Sequence, residues 1–319
     1  MSGRSSNRGS GGKGQKGGRS RPPAKKAAKR GGKGATNNRR GGPGPRRGDG
    51  QRGTTPIRAA DEGRGDAHLG GDQVEGRHAV RELLMAGTRR TREVILAGDL
   101  DPAPILDDII DLADEQKVTL RELTRSKFES MTRTEGAQGV LAMAQPLRST
   151  PLEELLDPER DGTLPFLLLL DGITDPGNLG AILRTAECAG VTGVVLPRHR
   201  AAHITPTVAK TAAGAIEHLR IAVAGGLPAA MKTLTQNGIW TVGLDAGGDR
   251  SLFDLPVADE PIALALGAEG PGLSRLVRER CDTVASIPMA GVLDSLNVSN
   301  AAAVAVYEIT RRRSEAGGG

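Results

Sequence analysis

The chain has 319 residues, a formal net charge of +5, 2% aromatic residues and two cysteines. That length suggests about two domains, and so few aromatics argue against RNA recognition built on stacking platforms. No apolar run reaches the roughly 18 residues of a membrane span, no signal-peptide core follows the N-terminus, and the five histidines show no ligand spacing, so membrane and metal chemistries are not expected.

The charge is unevenly placed. Residues 1–70 hold 18 Lys/Arg against 4 Asp/Glu, a net of +14, which leaves 25 against 34, a net of −9, for the rest. Through residue 60 the arm has no Val, Leu, Phe, Trp, Tyr or Cys. It cannot bury enough apolar surface to offset its chain entropy, and a disordered segment is expected. A Gly-rich basic arm suits a polyanion, nucleic acid above all. A solubilising or targeting tail has the same composition, although the apolar stripe of a transit peptide is missing.

Residues 73–147 read as a small α/β domain. GRHAVRELLMAG is a helix, TREVILAG a strand, PAPILDDIIDLADEQK an amphipathic helix, VTLREL a short strand, TRSKFESM a helix and QGVLAMAQP a closing strand. Residues 148–164, rich in Pro and charge, read as a linker with one short helix. A second α/β series fills 165–314. It opens with FLLLLDGI, a continuous apolar run expected of a strand buried on both faces. It continues with the helix NLGAILRTAECAG, the strand VTGVVLP, the helix TPTVAKTAAGAIEHL, the strand RIAVAG, the helix LPAAMKTLTQNG, and the strands IWTVGLD and PIALALGAEG. GLSRLVRERC is a helix, TVASIPM a strand, and NVSNAAAVAVYEITRRR the closing helix, with Arg311–Arg313 complementing its dipole. Cys188 and Cys281 read as buried thiols of a reducing cytoplasm. The alternation predicts a parallel sheet of five or six strands, with ligands bound outside their carboxyl ends.

Three loops fall at such ends. In DGITDPGNLGAILRTA, Gly177 and Gly180 straddle a helix start and could receive an anion, or Asp175–Pro176 is simply turn chemistry. No dinucleotide or P-loop fingerprint is present, which argues against a nucleotide-binding oxidoreductase. In LGAEGPGLS, Gly267, Gly270 and Gly272 permit close backbone approach, and Glu269 is the lone carboxylate. In IPMAGVLDSLNVSN, Ser295, Asn297, Ser299 and Asn300 crowd six positions, more than a helix cap requires.

DPGNLGAILRTA, LGAEGPGLS, IPM and SLNVSNAAAVAVYE, in this order and spacing, resemble the three signature motifs of the SpoU branch of the SPOUT RNA 2′-O-ribose methyltransferases. VEGRHAVRELL through QGVLAMAQP resembles that family's small substrate-binding domain. The pairing is most like bacterial 23S rRNA (guanosine-2′-O)-methyltransferases. The resemblance implies a C-terminal domain whose last loop and helix close a deep trefoil knot around S-adenosylmethionine. It implies cofactor contacts at Leu266, Gly267, Ile287, Met289 and Leu296, and places Asn178, Arg184, Glu269, Ser295 and Asn297 around the chemistry. A guanidinium stays protonated, so Arg184 is expected to hold a phosphate or steady an alkoxide rather than act as base. Arg77, Arg81 and Arg198 are expected RNA contacts. A homodimer without a metal, working on RNA in the cytoplasm, completes the implied picture. The alternatives are the same chemistry on tRNA or another rRNA site, and a catalytically silent RNA-binding protein; the small domain favours rRNA.

Deleting residues 1–70 is expected to leave cofactor affinity unchanged and to weaken RNA binding, because the remaining chain carries −9. A salt titration of the full-length and truncated proteins checks this: the slope of log K against log salt should become shallower without the arm.

Overall fold

The computed structural model describes residues 68–156, 163–199 and 203–316, so the basic arm expected over 1–70 lies outside the described residues except for its end. His68–Gly70 is not part of a tail: it forms strand β1 with Leu69 buried, so the deletion that removes the arm alone stops before His68. The body then runs through β2 (Gln73–Glu75), α1 (Arg77–Ala86), β3 (Thr91–Ala97), α2 (Pro104–Glu115), β4 (Thr119–Leu123), α3 (Arg125–Met131), β5 (Val140–Ala144) and β6 (Leu147–Arg148). Strands β2–β5–β3–β4 make a mixed four-stranded sheet, and β1 pairs antiparallel with β6. Apolar residues of α1 and α2, among them Leu83, Leu84, Leu106 and Ile109, cover one face of the four-stranded sheet; Phe128 of α3 seals the other. The expected small α/β domain is therefore three-layered.

The second series forms β7 (Phe166–Asp171), α4 (Pro176–Cys188), β8 (Gly193–Pro197), α5 (Pro206–Thr211), β9 (Ile221–Ala224), α6 (Leu227–Gln236), β10 (Trp240–Leu244), β11 (Arg250–Ser251), β12 (Ile262–Gly267), α7 (Arg275–Arg278), β13 (Thr283–Ser286) and α8 (Val298–Ala316). Its sheet has seven strands, ordered β11–β13–β10–β12–β7–β8–β9, and every pairing is parallel. The count exceeds the expected five or six because β11 is a two-residue edge too short to leave a pattern. The run FLLLL splits by the strand period of two: Phe166, Leu168 and Leu170 meet α4, α5 and α8, while Leu167 and Leu169 meet α6 and α7.

Two expected helices are cut short. TPTVAKTAAGAIEHL keeps only α5, because Ala213 and Gly214 turn to φ 51° and 93° and a 3-10 turn at Ala215–Glu217 follows. A side chain at Gly214 would collide with Glu82 of α1, so the break lets the small domain dock. GLSRLVRERC is helical only over the four residues of α7. Cys188 is exposed rather than buried, and Cys281 is half-buried, its thiol pushed up to about 12 by burial.

The three arginines at the end of α8 do more than answer a dipole. Arg313 donates to the carbonyls of Leu164 (2.9 Å), Pro165 (2.9 Å), Ala258 (3.3 Å) and Glu260 (2.6 Å), and its guanidinium lies 5.0 Å from the Phe166 ring centroid. Arg311 and Arg312 converge on Glu308, and the hydrogen bond from Arg311 leads in drawing that carboxyl down to about 2.

Small and large domains are joined by a buried fork. Arg89 Nε and Nη2 donate to the two carboxylate oxygens of Glu217 at 2.8 and 2.6 Å, and Nη1 donates to the carbonyl of Gln145 at 2.6 Å. Side-chain exposure is 6% for Arg89 and 0% for Glu217. Removing one partner strands a charge in a dry junction. Glu217→Ala is expected to lower the unfolding free energy by roughly 3–5 kcal/mol in urea denaturation; a loss below about 1 kcal/mol, the scale of a surface pair, would show that the domains are held by other contacts.

Candidate functional site

The carboxyl ends of β10, β12 and β13 open into one cavity of about 780 Å³, within the range of small-molecule pockets. Three strand-end loops shape it. The first starts α4: Asp175 caps the helix by accepting from the Asn178 backbone N–H at 2.6 Å, with Pro176 in the first turn. Gly180 serves packing: a Cβ there would lie 2.6 Å from Thr211 Cβ of α5. Asp175 and Pro176 supply the turn chemistry of this loop, and the Asn178 side chain reaches the other two loops.

The second loop leaves β12 at Gly267. A Cβ there would overlap the backbone of Gly272 and Leu273, so only glycine lets the chain fold back so closely. The loop closes when Gly272 N–H donates to the Ala268 carbonyl at 2.9 Å, with Gly270 and Gly272 at φ 85° and 68°. Glu269 is exposed near its tip. Asp171, at the end of β7, accepts from the Ser274 N–H at 2.7 Å and anchors the far end.

The third loop, 287–297, enters α8. Asn297 Oδ1 accepts from the Ser299 N–H at 2.9 Å and the Ser299 hydroxyl at 2.6 Å, so these two residues form the helix cap. Half of the polar surplus in SLNVSN is therefore local capping. Among the described residues Ser295 reaches only Asp294, at 3.3 Å, and it stays exposed.

Asn178 ties the loops together. Its Nδ2 donates to Glu269 Oε2 at 3.3 Å, and its Oδ1 accepts from Asn297 Nδ2 at 3.0 Å. Of the expected residues, Leu266, Gly267, Glu269, Ile287, Met289, Ser295, Leu296 and Asn297 all line the cavity, and Asn178 braces its rim. Arg184 does not line it: it is exposed farther along α4. Arg198 is exposed at the end of β8, and Arg77 donates to the Gln138 carbonyl at 3.2 Å. Arg81 is spent within the small domain, donating to Asp108 at 2.8 Å and Glu82 at 3.0 Å, which leaves it poorly placed for a phosphate.

Several lining residues, Ser286, Asp294 and above all Asp245, had no role in the sequence analysis. Asp245, just past β10, accepts from the Gly247 N–H at 2.9 Å and pairs with Arg278 at 2.7 Å. The available signal was the strand-end sequence LDAGG, a fourth loop of the same kind as the other three.

A parallel α/β sheet with a ligand-sized crevice at its strand ends places the chain among the open-sheet α/β proteins, whose ligands bind there. Residues 165–307 match the model of the SpoU rRNA methylase family, and residues 73–150 match that of RNA 2′-O ribose methyltransferase substrate binding. A relative from Pseudomonas putida, named 23S rRNA (guanosine-2′-O-)-methyltransferase RlmB, is 38% identical over 76% of this chain and 97% of that protein. A TrmH-family relative from Bacillus subtilis, YacO, is 37% identical over 77% of this chain and 98% of its own. The crystal structure of the SpoU methyltransferase AviRb from Streptomyces viridochromogenes, in complex with AdoMet, superposes with a TM-score of 0.63 at 25% identity over 76% of this chain and 90% of that one. The chain belongs to the SpoU family of RNA 2′-O-ribose methyltransferases.

Asn178→Ala keeps the backbone cap but cuts the link between two loops. Hydrogen exchange is expected to speed up in 268–273 and 287–297 while the core of α4 stays protected, at a cost of about 1 kcal/mol, the net worth of a hydrogen bond. Unchanged exchange in both loops would show that they hold each other without Asn178.

Proposed function

We propose that this chain transfers the methyl group of S-adenosylmethionine to a ribose 2′-hydroxyl of RNA, with a guanosine of 23S rRNA as its target. The observation that carries the reading is the convergence of three loops on Asn178 at the rim of the cavity. The lining suits the cofactor. Ile287, Met289 and Leu296 offer apolar side chains to an adenine, and Leu266 and Gly267 offer strand-end backbone to its edge. When bound, the cofactor supplies a methyl group already activated by its sulfonium.

The chain's own task is then alignment and charge management. Ser295 and Asn297 orient the ribose hydroxyl. Glu269, held by Asn178, keeps the glycine loop in place. Arg184 is exposed and donates no hydrogen bond among the described residues, so it is available to hold the target's phosphate or stabilise the emerging alkoxide. The rRNA assignment is supported by the match at 73–150 and by the name of the Pseudomonas putida relative. A trefoil knot, a homodimer and a cytoplasmic setting belong to the same reading. Exposed Val292, Leu293 and Tyr307 support a second copy packed beside the site. No helix among the described residues is long and apolar enough to cross a membrane.

The test is incubation with methyl-labelled S-adenosylmethionine and transcribed 23S rRNA, followed by mapping of 2′-O-methyl nucleotides. Transfer to tRNA alone would overturn the target, and transfer to no RNA would overturn the activity. Arg184→Ala is expected to lower turnover about 10²–10³-fold and to leave cofactor affinity by calorimetry unchanged. Near-normal turnover would remove Arg184 from the chemistry.

A further inference from the structure

A second cavity, about 970 Å³, lies between the small domain and the large one. Its lining comes from the turn after α1, the start of β3, the residues before β4, the β6 ribbon and the segment leading into β9. Arg89, Arg90, Arg92, Lys117, Arg148 and Arg220 all line it, and Glu217 is the single carboxylate among the lining residues. That carboxylate is consumed by Arg89. Glu93, the next acidic group along β3, is taken by Arg121 at 2.7 Å. Arg220 is turned to the carbonyls of Thr192 and Glu154, at 3.1 and 3.2 Å. Arg90, Arg92, Lys117 and Arg148 are exposed, and none of their side chains has a hydrogen-bond or carboxylate partner among the described residues. Lys117 sits at φ 54°, a backbone conformation that favours glycine.

Four unpaired cations in one groove, on a body whose net charge is −9, form a local positive field in an otherwise repelling surface. The lining has no Phe, Tyr or Trp to stack a base, and its one imidazole, His218, is held by Glu82 at 3.1 Å. Such chemistry recognises a phosphodiester backbone rather than a nucleobase. The groove adjoins the entry to β9, whereas the cofactor crevice lies at the carboxyl ends of β10, β12 and β13. In a parallel sheet these are opposite ends, separated by a strand length of roughly 15–20 Å. We propose that this interdomain groove is an RNA-backbone track that grips the substrate at the opposite end of the sheet from the reacting ribose. The proposal rests on the RNA substrate of the proposed function. It adds that the substrate must be long enough, or folded enough, to reach both ends of the sheet.

The test uses the full-length chain and the triple variant Arg90→Gln, Arg92→Gln, Lys117→Gln, with transcribed 23S rRNA as the probe. Binding is measured across a salt series, and S-adenosylmethionine affinity and the melting temperature are measured in parallel to certify the fold. RNA affinity is expected to fall tenfold or more, and the slope of log K against log salt to become shallower by about 2–3, close to one phosphate per lost charge. Cofactor affinity should not move. Equal affinity and slope in the two proteins, including binding by neither, would overturn the track. So would displacement of the RNA by micromolar GMP through these three residues, which would make the groove a mononucleotide site. Methyl transfer with RNA binding indifferent to the variant would sink the track and leave the proposed function standing. Variant-sensitive RNA binding without transfer to any RNA would do the reverse.

Discussion

The central strands of the large sheet, β7 and β12, are buried on both faces, and the rest of the architecture follows from that constraint. Leu167–Leu170 and Ile262–Leu266 are 0–1% exposed, so helices must cover both sides. With both faces closed, the backbone can meet a ligand only at the strand ends. Asn178, Glu269, Ser295 and Asn297 lie on the loops or helix starts that follow β7, β12 and β13, and Arg184 stands farther along α4. Helix α8 extends the same logic. Its first turn stands at the crevice through Asn297, and Arg313 in its last turn binds the carbonyls that lead into β7 and β12. One helix thus connects the two ends of the sheet.

The junction with the small domain depends on an ion pair. Burying Arg89 and Glu217 is tolerable because the guanidinium meets both carboxylate oxygens, and its remaining donors find backbone carbonyls. At the same junction the helix after α5 breaks at Gly214, where a Cβ would collide with Glu82. It also brings the unpaired cations of the small domain to face the entry of β9. The interdomain groove is a product of this docking and belongs to neither domain alone.

The site was legible to the extent that its chemistry is local. Glycine-dense, polar loops after apolar runs mark strand ends; the loops after β12 and β13 line the crevice, and the loop after β7 meets them through Asn178. Gly267 is the clearest example, since its role is to let Gly272 approach. Where one residue serves two purposes, sequence reasoning separated them poorly. Asn297 caps α8 and also braces Asn178, so the apparent polar surplus is smaller than it looked. Asp245 escaped because a single carboxylate in a short turn has an ordinary local explanation.

Sequence by itself determined most of the succession of strands and helices, the double burial of FLLLL, and the glycine-rich and polar loops at the strand ends. These depend on residues a few positions apart, whose periodicity and turn chemistry act before any long-range contact forms. Tertiary structure alone decided that β12 inserts between β7 and β10, that β11 adds a seventh strand, and that the helix after Thr205 breaks. It also decided which cations are spent, as Arg81 is on Asp108, and which stay open, as Arg90, Arg92 and Lys117 do. The reason is physical: strand order and charge pairing are set by contacts between residues distant in the chain, and a net charge says nothing about which neighbours folding will bring together.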